Sequence, residues 1–217
     1  MNLVFINGDG ASLEDEKPFI NWLSSKGYSI QFIPLKESGP QVDYEELESD
    51  NYCAYIDSML PKQFYQFTML GISKGCHWCR VYASRNKSRV SKLVLIEPTT
   101  MTPELMQQFE LDRGNYFISN YYNDPSELTR EDNTHTALDV IVSDHKAYIP
   151  KCPVVILWTS KNNQNQAYDS HVLALKKKFE RYLINHSVHL KVIHVDASHY
   201  LTTQPKHFST ILKALKL

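Results

Sequence analysis

The stretch "LGISKGCHWC" at residues 70–79 decides how this chain is read. It follows Gln66, Phe67, Thr68 and Met69, which alternate as a strand does, and it holds Ser73 with Gly71 and Gly75 two residues to either side. A chain that leaves a strand and enters a helix through a very tight turn needs residues without side chains on both flanks of that turn. Such a turn leaves the serine alone at its tip, and residues 76–83 have the helical character expected beyond it.

Outward from this point, strands and amphipathic helices alternate. Residues 3–7 read as a short buried strand ended by Gly8 and Gly10, and Phe19, Trp22 and Leu23 are spaced for a helix that Gly27 terminates. Pro18 requires that helix to begin near Asp15, because a proline in the first turn gives up an N–H that has no partner there. Residues 28–34 predict a second strand. Tyr44, Leu47, Tyr55, Ile56, Met59 and Leu60 predict one or two helices before Pro61, and residues 66–72 are the third strand. The fourth is "KLVLI" at residues 92–96, followed by Glu97 and Pro98, and the fifth is "PVVILW" at residues 153–158. A helix with the stripe Val172, Leu175, Phe179 and Leu183 comes next, then a strand at residues 188–195 and a closing helix marked by Phe208, Ile211, Leu212 and Leu215. The pattern predicts an α/β fold with a mostly parallel sheet of about six strands and helices on both faces. Residues 98–150 stand apart as an insertion: they are polar and tyrosine-rich ("GNYFISNYYNDP") and too long for an ordinary connection.

With 217 residues and 42% hydrophobic content, the chain can bury a substantial core as a single domain over residues 1–217. Its 23 basic and 24 acidic residues nearly cancel, without a basic half, which argues against a nucleic-acid partner. The one basic run, "KKK" at residues 176–178, falls on the polar side of its helix and reads as a solvated face. Cys53, Cys76, Cys79 and Cys152 are too few and too scattered for a disulfide framework, so reduced thiols and a cytoplasmic location are expected. The apolar start at residues 3–6 meets Gly8 too soon for a signal peptide, and no apolar run approaches the length of a membrane span. Cys76, His77 and Cys79 lack a second cysteine pair to complete a zinc site and read as packing residues behind Ser73. A P-loop is absent, and "NGDGASL" carries Leu13 where a dinucleotide fingerprint would have its third glycine.

In a parallel sheet of this kind, ligands bind beyond the C-terminal ends of the strands, which here means residues 7–10, Ser73, Glu97, residues 159–163 and His199. On these residues the chain resembles the α/β-hydrolase superfamily over nearly its whole length. Gly71-Ile72-Ser73-Lys74-Gly75 matches the family's G-x-S-x-G nucleophile elbow in its strand–turn–helix setting. The resemblance implies Ser73 as nucleophile and His199 as its base, the latter lying in "VDASHYLTTQPKHF" between the last strand and the last helix. It also implies an oxyanion hole made by the backbone N–H groups of Lys74 and Asp9, with Asp9 in "NGDG" where many members carry His-Gly-x-Gly.

The third member of the triad departs from the common pattern. The family most often keeps an Asp after the strand corresponding to residues 153–158, but here Thr159-Ser160-Lys161-Asn162-Asn163 follows and the first carboxylate is Asp169. A second arrangement in the family puts the acid after the strand that follows the elbow, which selects Glu97 in "LVLIEP". Glu97 is therefore the favoured acid, with Asn162 and Asp169 as alternatives. The insertion falls where the family inserts a cap, to which Tyr116, Phe117, Tyr121 and Tyr122 would lend apolar surface with polar tips.

The implied activity is that of a serine hydrolase acting on a carboxylic ester or thioester through an acyl-enzyme, with no cofactor or metal required. Its substrate would be a small molecule or a carrier-linked acyl ester, and Lys74, His135, His145, Lys146 and Lys151 would suit an anionic carrier or a carboxylate. The rival is a non-catalytic ligand-binding or receptor-like protein on the same scaffold, which the missing carboxylate near Asn162 permits. A protein that only bound ligands would have no physical need for Ser73, His199 and both elbow glycines together.

Overall fold

The computed structural model describes residues 1–8, 12–34, 49–98, 149–162, 165–186 and 188–217. Along the chain these form β1 (Asn2–Ile6), α1 (Leu13–Ser25), β2 (Ser29–Ile33), α2 (Ser49–Met59), β3 (Phe67–Ile72) and α3 (Lys74–Arg85). There follow β4 (Val90–Ile96), β5 (Val154–Thr159), α4 (Ser170–Asn185), β6 (Leu190–Val195), two short 3₁₀ turns (Leu201–Thr203 and Pro205–His207) and α5 (Phe208–Lys216). The strands make one six-stranded sheet in the order β2-β1-β3-β4-β5-β6, and each pairs in parallel with its neighbours. The predicted α/β class is the observed one.

Every residue of β3 and β5 is buried, as a strand covered on both faces must be, whereas the edge strands β2 and β6 are only partly buried. On one face, Phe19 and Leu23 of α1 and Phe208, Ile211 and Leu215 of α5 cover Leu3, Phe5, Leu70, Val94 and Leu157. On the other, Tyr52 and Ile56 of α2, Cys76 and Cys79 of α3, and Phe179 and Leu183 of α4 cover Val4, Met69, Leu93 and Ile156. At about 25 cal/mol per Å² of apolar surface removed from water, these two cores supply the main force holding the sheet in place.

The expected start of α1 near Asp15 is corrected to Leu13. Ser12 caps the helix, its Oγ accepting from Asp15 N–H while Asp15 Oδ2 accepts from Ser12 N–H at 2.9 Å. Pro18 therefore sits beyond the first turn and is tolerated because the carbonyl it deprives, that of Glu14, is on an exposed residue that water can serve. Asp9, Gly10, Tyr44, Leu47, Tyr116, Phe117, Tyr121, Tyr122, His135, His145 and Lys146 lie outside the described residues.

Candidate functional site

The chain passes from β3 into α3 through Ser73, whose backbone has φ 51° and ψ −119°. A residue with a side chain takes such angles only at a cost of about 1–3 kcal/mol, which surrounding contacts must hold in place. The flanking glycines are required by close approach rather than by their own torsions, since Gly27 alone among the described glycines has positive φ. A Cβ on Gly71 would stand 2.8 Å from the Cys76 backbone N and Cα, and one on Gly75 would stand 2.4 Å from the carbonyl oxygens of Ile6 and Asn7. The end of β1 is thus wedged against the start of α3. Gly8 lies beside the serine, a Cβ there falling 3.2 Å from Ser73 Cβ. Lys74 opens α3, so its N–H belongs to the first turn, where the helix dipole favours negative charge. The Ser73 side chain makes no capping bond to that helix.

The ladder continues past the strand ends. Ser73 N–H donates to the Ile96 carbonyl at 2.9 Å, and Glu97 N–H donates to the Leu157 carbonyl at 2.9 Å. Glu97 also has positive φ, 49°, although it precedes a proline, and its side chain is buried. Its Oε2 accepts from the Thr159 N–H at 2.6 Å and the Thr159 hydroxyl at 2.8 Å, while Oε1 lies 2.5 Å from Lys176 Nζ.

Lys176 was expected on a solvated face, and the structure corrects this: Lys176 is 5% exposed, whereas Lys177 and Lys178 are exposed. Its ammonium donates to the Thr159 carbonyl at 3.0 Å and lies over the Tyr168 ring, 3.8 Å from the centroid. The reason is periodicity, for Lys176 falls on the same stripe as Val172, Phe179 and Leu183; a buried carboxylate at its tip then compensates the charge. That spacing was the available signal, and the run of three lysines obscured it.

His199 arrives from the far side of the sheet. After β6 the loop is braced by Gln204 Nε2 donating to Ser198 Oγ at 2.7 Å and is pinned to α1 by the Thr202 hydroxyl donating to Glu16 Oε1 at 3.1 Å. A segment tied to β6 at one end and α1 at the other runs back along the C-terminal edge of the strands, the edge that carries Glu97 and Ser73. His199 is half-buried, with its ring edge-on to Tyr200. Burial holds its imidazole below the ordinary histidine value; the Glu97 charge pulls it upward and the Lys176 charge pulls it down again.

The two alternative acids have local bonds of their own. Asn162 Oδ1 accepts from Gln166 N–H at 3.2 Å and its N–H donates to the Gln166 carbonyl at 2.8 Å, closing its loop. Asp169 is the exposed N-cap of α4, its Oδ1 accepting from Val172 N–H at 2.8 Å. Lys151, proposed for an anionic substrate, is exposed just before β5.

The chain carrying this edge matches the family model for the α/β hydrolase fold over residues 23–199. It belongs to the α/β-hydrolase fold family. Solved structures agree at the level of fold. Polyneuridine aldehyde esterase superposes with a TM-score of 0.64 at 15% identity, over 100% of this chain and 99% of that one. The methylesterase protein MES16 from Arabidopsis gives 0.59 at 18% identity, over 100% and 99%. The thioesterase domain from the curacin biosynthetic pathway gives 0.64 at 12% identity, over 100% and 91%. No curated protein matches the sequence.

In this α/β hydrolase the cysteines expected behind Ser73 do pack there: Cys76 and Cys79 are buried free thiols, and burial raises both. His77 between them is held neutral, pushed down to about 3 by burial and then by Arg80. Among the described residues no three His, Cys, Asp or Glu side chains are grouped to hold a metal ion, and no helix is long and apolar enough to cross a membrane.

Proposed function

We propose that this α/β hydrolase cleaves a carboxylic ester or thioester through a serine acyl-enzyme, with Ser73 as nucleophile and His199 as general base. The observation that carries the reading is the Ser73 backbone, held at φ 51° by glycines that admit no Cβ, because nothing in packing alone calls for a serine there. His199 takes the hydroxyl proton as Ser73 Oγ attacks the acyl carbon. The developing oxyanion is met by the N–H of Lys74 at the head of α3 and by that of Asp9, the latter assigned from the sequence resemblance. The alcohol or thiol leaves with the proton from His199, and water activated by the same imidazole then releases the acid and restores Ser73. Glu97 is the acid behind His199 in this scheme. Residues 98–150 would form the cap over the acyl group. Fold neighbours named as esterases and a thioesterase support this substrate class, small or carrier-linked, and four free cysteines suit a reducing cytoplasm.

The buried Glu97–Lys176 pair favours a second reading, a ligand-binding protein on the same scaffold, since a neutralised carboxylate supports an imidazolium less than a bare one. Intact mass after exposure to a fluorophosphonate, with p-nitrophenyl butyrate turnover, separates the two. A single adduct on the wild type that disappears in Ser73→Ala, with turnover falling by at least about 1,000-fold in Ser73→Ala and His199→Ala, is the expected result. A wild type with neither adduct nor turnover overturns the hydrolase reading in favour of the binding protein.

A further inference from the structure

We infer that Glu16 and Thr202 are positioning residues for His199: their buried hydrogen bond fixes where the turn carrying that histidine sits on α1. The catalytic consequence rests on the role proposed for His199, whereas the anchoring is a property of the free protein.

Three observations carry the inference. The first is that the turn is bonded within itself. Leu201 N–H donates to the His199 carbonyl at 3.1 Å, and Gln204 Nε2 donates to Ser198 Oγ at 2.7 Å. The Tyr200 carbonyl accepts from the Thr203 hydroxyl at 3.1 Å and from Gln204 Nε2 at 3.2 Å. A segment closed in this way moves as one piece, so a shift at Thr202 is passed on to His199.

The second is the seat of the turn. Leu201 is fully buried in the core that Phe19 of α1 and Phe208 of α5 share, but apolar contact holds a turn down without fixing its direction. Direction comes from the Thr202 hydroxyl donating to Glu16 Oε1 at 3.1 Å. Glu16 lies one turn before Phe19 on the same face of α1, and Phe19 meets Phe5 of β1 edge-on with ring centroids 5.9 Å apart. The end of β1 is the strand end wedged against Gly75, so the bond refers the histidine turn to the part of the frame that also seats Ser73.

The third is the burial of the pair. Glu16 and Thr202 are each 1% exposed, and Glu16 Oε2 is buried with no hydrogen-bond partner among the described residues. Two apolar side chains of the same shape would fill this space without desolvating a carboxyl group. What the polar pair adds is a direction, and a misplacement of reacting groups by about 1 Å costs about 100-fold in rate.

The test replaces both partners at once, Glu16→Met with Thr202→Val, so that no polar group is left unpaired. The urea midpoint should stay at or above that of the wild type. For p-nitrophenyl butyrate, kcat should fall by about 10–100-fold while KM stays within about threefold. The Leu201 amide, which donates to the His199 carbonyl, should exchange its hydrogen at least about 10-fold faster, with the amides of β3 unchanged. Thr202→Ser, which keeps the hydroxyl, should remain near the wild type in both readings. A bond that only stabilised the fold would leave kcat and the Leu201 amide unmoved in a double variant as stable as the wild type, and that result overturns the inference. If the double variant does not fold, Thr202→Val alone decides by the same two readings against Thr202→Ser. Faster exchange in a protein that fluorophosphonate does not label would keep the anchoring and remove the hydrolase reading. Labelling with either kcat or the Leu201 exchange unmoved would overturn the inference and keep that reading.

Discussion

In Gly75→Ala the added Cβ would stand 2.4 Å from the Ile6 and Asn7 carbonyl oxygens and 3.0 Å from the Ile6 carbonyl carbon. Reaching ordinary van der Waals separation requires α3 to retreat from β1 by roughly 1 Å. Neither side can give way cheaply, because the obstacles are backbone atoms at the end of a strand bonded on one side to β2 and on the other to β3. Overpacking of this kind costs about 3 kcal/mol, and the better helix propensity of alanine returns about 1 kcal/mol, leaving a net loss of about 2 kcal/mol. Gly71→Ala should also destabilise, since its Cβ would meet the Cys76 backbone at 2.8 Å. Gly27→Ala is the control: it meets nothing within 4 Å and carries only the strain of φ +89°, about 1 kcal/mol. Urea unfolding followed by tryptophan fluorescence gives the comparison, read as midpoints at constant slope. A Gly75→Ala protein as stable as the wild type, or more stable, would refute the claim that close approach of β1 and α3 fixes the glycine, because helix propensity would then have prevailed.

Three further outcomes follow from the same geometry. Ser73→Gly should raise stability by about 1–2 kcal/mol by relieving the strained backbone while abolishing labelling and turnover, and an unchanged urea midpoint would contradict the strain. Because the base must be neutral and burial holds His199 below its ordinary value, activity should persist as pH falls through about 6.5 and be lost only at the lower pH where the imidazole charges; a kcat/KM profile already failing near pH 7 would contradict this. Burial raises Glu16 from 4.5 to about 7, against the Thr202 hydrogen bond and with a smaller push from Asp15. The folded state then keeps a proton that the unfolded chain releases, so stability is full below pH 4.5 and falls by up to about 3 kcal/mol as pH rises through about 7. That slope should vanish in Glu16→Gln, as measured by urea midpoints across the range.

The elbow was legible because its cause is partly local. For Gly71 the obstacle to a Cβ is Cys76, five residues on, whereas for Gly75 it is the end of β1 at Ile6 and Asn7, so only the first half of the turn has a local cause. The strands were legible for a similar reason, since apolar runs such as "KLVLI" and "PVVILW" must be covered on both faces. Lys176 shows where local reading fails. Its neighbours Lys177 and Lys178 are solvated, so the run suggests a polar face, yet Lys176 shares the buried stripe of Val172 and Phe179 and can do so only because Glu97 meets it.

By itself, then, the sequence determined the α/β class, the strand–helix alternation and the strand ends at which chemistry is to be sought, because periodicity and turn geometry depend on residues close together in the chain. The tertiary structure alone decided what the buried groups bond to. Glu97 takes its donors from Thr159, 62 residues on, and the loop carrying His199 is tied to Glu16 across 186 residues. A buried charge must find a partner wherever the fold brings one, and the distance along the chain has no part in that choice.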